Sequence, residues 1–153
     1  MGAMTQDIPR VVSFSREVAA SASDIFELIA DPSKQPLWDG NDNLTEAAPG
    51  QRVHQVGDSF LMTNTTGKVR ENHIVDFDEG RRIAWRPSEV GATPPGHEWR
   101  WQLEPLAEDL TLVTHIYDWT DLTDPKRVPK AQATTADNLA ASVDRLAELA
   151  ERQ

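Results

Sequence analysis

Residues 136–150, ADNLAASVDRLAELA, decide the fold. Ala136, Leu139, Ala140, Val143, Leu146, Ala147 and Ala150 recur at helical spacing, and Asp137, Asp144, Glu148 and Arg152 fall on the opposite side. The pattern predicts an amphipathic helix running from near residue 131, about five to six turns long. A helix with one apolar stripe must bury it against another layer. The chain from 42 to 121 reads as strands, so that layer is a sheet. The stripe is rich in alanine. Small side chains there either make room for bulky ones on the sheet or leave a hollow.

Working outward, residues 110–120 form the longest strand, with Thr111, Val113, His115, Tyr117 and Trp119 on one face. Leu112, Thr114, Ile116 and Asp118 take the other, and alternation alone does not say which face is inner. Residues 97–104 put Trp99, Trp101 and Leu103 opposite Glu98, Arg100 and Gln102. Residues 82–88 hold Ile83 and Trp85, and 68–77 carry Val69, His73, Val75 and Phe77 on one face. Asp78-Glu79-Gly80 between them is a hairpin signal. Residues 58–65 alternate through Phe60 and Met62, with Asn64 and Glu71 as polar candidates for the same wall. Short segments at 43–48 and 53–56 are weaker strand candidates. Residues 10–18 begin the chain's structure as a strand with Val12, Phe14 and Val18 inward and Arg16 as the exception. Ser21 and Asp24 then open a helix that ends before Asp31-Pro32, and a short turn closes on Trp38. Asp124 and Pro125 open the helical tail. The order is α+β: a first strand, two short helices, an antiparallel run giving six to seven strands, and one long C-terminal helix.

The 153 residues include 15 Lys plus Arg and 25 Asp plus Glu, a formal charge of −10. Nucleic-acid binding draws on Lys and Arg, so this balance weighs against DNA or RNA, and against an anionic membrane surface. Absence of cysteine excludes disulfides, thiolate nucleophiles and cysteine-held metals. No apolar run approaches the ~18 residues of a membrane span, and no signal peptide is seen. Met1-Gly2-Ala3 before Met4 reads as a tag remnant. Residues 1–7 are expected to be disordered, with a single domain over 8–153 in the cytoplasm. The histidines (54, 73, 97, 115) show no HExxH or close pair, so no metal is expected, even for His73, His115 and Glu71 together. No glycine-rich nucleotide motif or serine elbow appears, so no cofactor is expected.

Three blocks resemble the START-like superfamily (SRPBCC), in its polyketide cyclase/dehydrase branch. They are VSFSREVAASASDIFELIADPSKQPLWDGN with Asp31, Pro32 and Trp38; VDFDEGRRIAWR with Phe77, Arg82 and Trp85; and WRWQLEPLAEDLTLVTHIYDW with Trp99, Trp101, Leu103, Pro105, Thr111, Val113, His115 and Tyr117. The last helix completes the pattern. The resemblance implies a helix-grip fold, a curved antiparallel sheet wrapped around the C-terminal helix and enclosing an apolar-ligand pocket. It also favours the Val113–His115–Tyr117 face as the inner one, and makes Trp38, Trp85, Trp99 and Trp101 pocket walls. With Phe60, Met62, Asn64, His73, Leu139 and Val143 these form the expected ligand-binding set. Such a pocket suits a small hydrophobic or aromatic, polyketide- or lipid-like molecule. The alternative is a cofactor-free cyclase or aromatase, with His115, Tyr117 and His73 as candidate acid–base groups. A third reading is an interaction or regulatory protein with a vestigial pocket. A homodimer stays open.

Overall fold

The computed structural model describes residues 9–153; the expectations for residues 1–7 lie outside it. Seven strands form one antiparallel sheet: β1 Val11–Val18, β2 Leu44–Glu46, β3 Ser59–Asn64, β4 Val69–Asp78, β5 Arg82–Glu89, β6 Glu98–Ala107 and β7 Leu110–Asp118. Their spatial order is β1-β7-β6-β5-β4-β3-β2, a meander whose first strand closes on the last. Between β1 and β2 lie α1 Ala22–Ala30, a 3-10 turn and α2 Gln35–Trp38. After β7 come a 3-10 turn, α3 Val128–Ala133 and α4 Ala136–Glu151. This is the α+β helix-grip arrangement, with α4 packed against β1, β7, α1 and α2.

Local chemistry explains the element ends. The Ser21 hydroxyl accepts from the Asp24 N–H at 3.2 Å and starts α1. Gly80 (φ 78°) turns the β4–β5 hairpin in a conformation that side chains resist. The predicted helix from 131 is divided at Thr134–Thr135. Thr135 forms a capping box with Asn138, whose Oδ1 accepts from the Thr135 N–H at 2.8 Å, so α4 starts afresh at Ala136. Ala136 consequently lies exposed and off the stripe, while Ser142 joins it. Residues 53–56 form no strand. Val53 is instead a buried loop residue whose N–H donates to the Ala30 carbonyl oxygen at 3.0 Å.

One expectation about the sheet is corrected. The β4–β5 register slips between Ile74 and Asp76: Ile74 faces Trp85, Asp76 faces Ala84, and Val75 is the extra residue of a bulge. Beyond the bulge Phe77 pairs with Ile83 on the inner face. Before it, Asn72 and Ile74 are the buried residues, and His73 opposite Arg86 turns outward. A strict two-residue period would place His73 and Phe77 together; the inserted residue separates them.

The loop between α2 and β2 fixes α4 against the rest. The Asp39 carboxylate is buried and accepts from the N–H groups of Asn41, Asn43 and Leu44. The Gly40 N–H donates to the Ser142 hydroxyl at 3.0 Å, and Arg145 donates to the Asp39 carbonyl oxygen at 2.9 Å. A Cβ on Gly40 would lie 2.4 Å from the Ala141 carbonyl carbon, closer than packing allows. Arg16, the polar exception of the first strand, pairs with Asp144 of α4 at 2.9 Å. Gly40→Ala is therefore expected to lower the unfolding free energy by about 1–3 kcal/mol, the cost of overpacking a rigid contact. Urea denaturation measures it; an unchanged midpoint would mean that the α4 approach is not tight.

Candidate ligand-binding site

The sheet's inner face is aromatic because consecutive inner positions of neighbouring strands carry rings in register. Trp101 lies opposite His115 and Trp99 opposite Tyr117 across β6–β7, and Trp85 opposite Trp99 across β5–β6. The His115 ring stacks on Trp101 with centroids 3.7 Å apart and planes 13° apart. Trp38, arriving from α2, meets Trp101 edge-on at 5.1 Å. Its indole N–H donates to the Leu28 carbonyl oxygen at 2.8 Å, so Trp38 is pinned from behind. Trp99 tilts over Tyr117 at 4.4 Å, and Phe60 meets Trp85 edge-on at 5.5 Å. Edge and offset contacts of this kind add about 0.5–1.5 kcal/mol each beyond burial.

Of the expected set, Trp38, Phe60, Met62, Trp85, Trp101, Val113, His115, Tyr117, Leu139 and Val143 are buried, with Trp99 half-buried beside them. Asn64 stands at the rim. His73 does not join them. It lies on the outer face, where its Nε2 meets the Ser88 hydroxyl at 2.9 Å and Glu71 at 3.8 Å. Glu71 is on that outer face too, and its carboxyl is held below the usual range by a hydrogen bond from the Gly91 N–H. His73 and His115 thus face opposite sides of the sheet and cannot share an ion. Sequence reading missed Asp39, Gly40 and Asn41, although they sit in the LWDGN run next to Trp38.

Two polar features of the interior carry chemistry. The His115 Nδ1 lies 2.9 Å from the Arg100 carbonyl oxygen, which can only accept, so Nδ1 carries the proton and Nε2 is left as an acceptor. Burial holds His115 down to about 4, so the ring is neutral at pH 7. Burial likewise pushes the Tyr117 phenol up to about 12 and keeps it a donor. The Trp101 indole N–H is buried with no partner among the described residues. An orphaned buried donor costs about 1–3 kcal/mol. Donors and an acceptor thus stand among rings, a set matched to a flat molecule with a carbonyl or phenolic oxygen.

The interior at this depth is tightly filled. A side chain lining a water-sized void retains accessible surface, and Trp101, Val113 and Val143 retain none. The clear hollows lie elsewhere. One of about 660 Å³ is on the outer face beneath the β4–β5 hairpin, among Asp78, Arg82, Gln102, Glu104 and Thr114, and is too charged for an apolar ligand. A second, of about 160 Å³, lies where the β3–β4 turn meets the loop before β2 and α3. It is lined by Asn43, Asn64, the 65–66 turn, Lys68, Arg70 and Lys130.

With this geometry in view, the chain belongs to the family described as polyketide cyclase/dehydrase and lipid transport, whose model matches residues 9–151. It is 32% identical over 113 residues to the uncharacterized protein Rv0088 of Mycobacterium tuberculosis, covering 72% of this chain and 48% of that one. The chain thus spans about half the length of the curated relatives it matches. Among solved structures, protein MLL2253 of Mesorhizobium loti superposes with a TM-score of 0.69 at 14% identity, covering 94% of this chain and 98% of the other. A START superfamily protein of Mycobacterium smegmatis gives 0.64 at 21% identity, covering 93% and 97%. Family and fold fit a hydrophobic-ligand-binding or polyketide-cyclase-like protein. Among the described residues no helix is long and apolar enough to cross a membrane.

The buried imidazole gives the site a pH signature. His115 is neutral in the fold to about pH 4, whereas the unfolded chain protonates it near 6.5. Between those values the unfolded state binds more protons, so the contribution is complete above pH 6.5 and is lost as pH falls toward 4. Unfolding free energy should drop by roughly 2 kcal/mol from His115 between pH 7 and pH 5. His115→Phe, followed by urea titration at both values, should remove that part of the slope. An undiminished slope would mean that His115 is not held neutral.

Proposed function

We propose that this chain binds a small hydrophobic or aromatic ligand between the inner sheet face and α4, against Trp101, Trp99, His115 and Tyr117. One observation carries the reading: the wholly buried Trp101 has an indole N–H without an acceptor. A ligand oxygen would satisfy it, and the neighbouring rings supply flat stacking surfaces. Because the walls are now in contact, such a ligand enters only if side chains or α4 move apart. Cyclase chemistry on the same ligand is less well supported. A base held down to about 4 has little drive to take a proton at pH 7.

The filled interior favours a second reading, in which the fold serves as an interaction module and the pocket is vestigial. A thermal-shift panel of polyphenols, sterols and fatty acids separates the two. Ligand at a hundredfold excess over its dissociation constant stabilises the fold by about 2.7 kcal/mol. That should raise Tm by several degrees for one chemical class. Trp101→Phe keeps the stacking surface and removes the donor, so it should weaken that ligand about tenfold. A flat response across the panel would sink the ligand reading and leave the interaction module.

A further inference from the structure

The hollow beside the β3–β4 turn departs from the charge of the rest of the chain. Acidic residues outnumber basic ones 25 to 15, yet this hollow is lined by Lys68, Arg70 and Lys130 and by no carboxylate among the described residues. None of the three cations forms an ion pair among the described residues. Arg70 has Glu89 as its register partner on β5, but the two make no salt bridge. Elsewhere Arg52, Arg82, Arg86 and Arg100 each hold two carboxylates, whereas Lys34, Lys126, Arg10, Arg81, Arg145 and Arg152 also form no ion pair among the described residues but do not gather at one concavity. Unpaired cations lining one concavity mark a place for an outside anion.

Two of its cations adjoin interior residues. Arg70 lies in the first turn of register of β4, beside Met62 of β3, on the strand face that carries Asn72 and Ile74 inward. Lys130 comes from α3, whose neighbour Ala131 packs with Tyr117 and Leu139. A second orphan lies nearby. The Nδ1 of His97 is buried with no partner, and His97 stands edge-on to Tyr117 at 6.3 Å. The charges of Arg127, Lys130 and Arg70 all reach His97 and, with burial first, hold it neutral at about 4. Asn43, Asn64 and the hydroxyl of Thr66 add neutral polar groups to the hollow. The hollow, about 160 Å³, holds more than one water and has room for a carboxylate or phosphate head.

We infer that the ligand of this protein is an anionic amphiphile: its carboxylate or phosphate head sits between Lys68, Arg70 and Lys130 at the mouth, and its apolar body reaches inward past Met62 and Tyr117. The inference rests on the interior ligand site proposed above and adds the charge and the polarity of entry. It also gives the cations a role that stability does not require, since exposed unpaired charges contribute little to folding.

Matched probes test it on the full chain. The 12-carbon set is dodecanol, dodecanoate and dodecyl phosphate; the aromatic set is 2-naphthol, 2-naphthoate and 2-naphthyl phosphate. Affinity is read by quenching of tryptophan fluorescence and by calorimetry. An anionic member should bind about tenfold or more tighter than its neutral partner, with the advantage shrinking as salt rises. The better of carboxylate and phosphate identifies the head. Lys130→Gln and Arg70→Gln should each cut the anionic member's affinity severalfold more than the neutral member's, so that much of the advantage is lost. Arg70→Lys should restore part of it, which separates charge from folding damage. Equal binding of neutral and anionic members, or an advantage indifferent to both substitutions, overturns the anionic head and leaves the interior site standing. Failure of every probe, neutral ones included, overturns the interior site and this inference with it.

Discussion

The contact on which the rest of the structure depends is the approach of the Asp39–Gly40 backbone to α4. Gly40 touches the Ala141 backbone, where a Cβ would come within 2.4 Å of it. That approach brings Trp38 down on Trp101 and lets Arg145 and Ser142 reach back to the loop. The Asp39 carboxylate gathers three N–H groups that the turn would otherwise leave unpaired, so the loop arrives already shaped. This end of the interior is therefore closed by a rigid device. The same loop also holds the β3–β4 turn: the Thr65 N–H donates to the Asn43 carbonyl oxygen at 3.0 Å and the Thr65 hydroxyl to the Asp42 carbonyl oxygen at 2.9 Å.

The bulge at Val75 divides the labour of the two sheet faces. Inward, Asn72, Ile74 and Phe77 continue the core. Outward, Asp76 receives Arg82 at 3.2 Å and is also bonded by Arg100, while Glu98 is shared by Arg86 and Arg100. Exposed pairs contribute little singly, but shared carboxylates tie β4, β5 and β6 laterally. His73 lies on this outer face too, beside the Ser88 hydroxyl and the Glu71 carboxylate rather than among the inner rings.

Much of the fold was legible because its signals are local. Ser21, Asp31-Pro32, Gly80 and the stripe from Leu139 to Ala150 each dictate an element without help from the rest of the chain. The Trp101–His115 pair was legible as a face, although stacking at 3.7 Å depends on register, which the sequence does not state. His73 lies on the other face from the one its spacing to Phe77 predicts, because a bulge shifts phase by one residue and leaves no reliable mark in the sequence. Apolar periodicity overstates the C-terminal helix because Ala131 precedes the stripe at helical spacing, and the capping box at Thr135–Asn138 marks the true start. The Gly40 contact was illegible because a glycine at no special φ looks like any loop residue until its neighbour is known.

Polarity along the grip then argues for a direction of use. The deep end is neutral throughout: rings, a histidine without charge, a phenol that keeps its proton. A bare ion brought there would lose hydration with no counter-charge to replace it. The hollow beside the β3–β4 turn is the reverse: three cations without an ion pair among the described residues, on a chain whose overall charge is −10. That overall field repels anions at long range, but beyond about 8–10 Å it is screened at ordinary ionic strength, so an arriving head group senses mainly Lys68, Arg70 and Lys130. An anion alone would find no apolar burial to hold it, and an apolar molecule alone would leave the cations unused. Only a molecule with both parts engages the whole gradient, and it can do so in one orientation, head at the rim and body within.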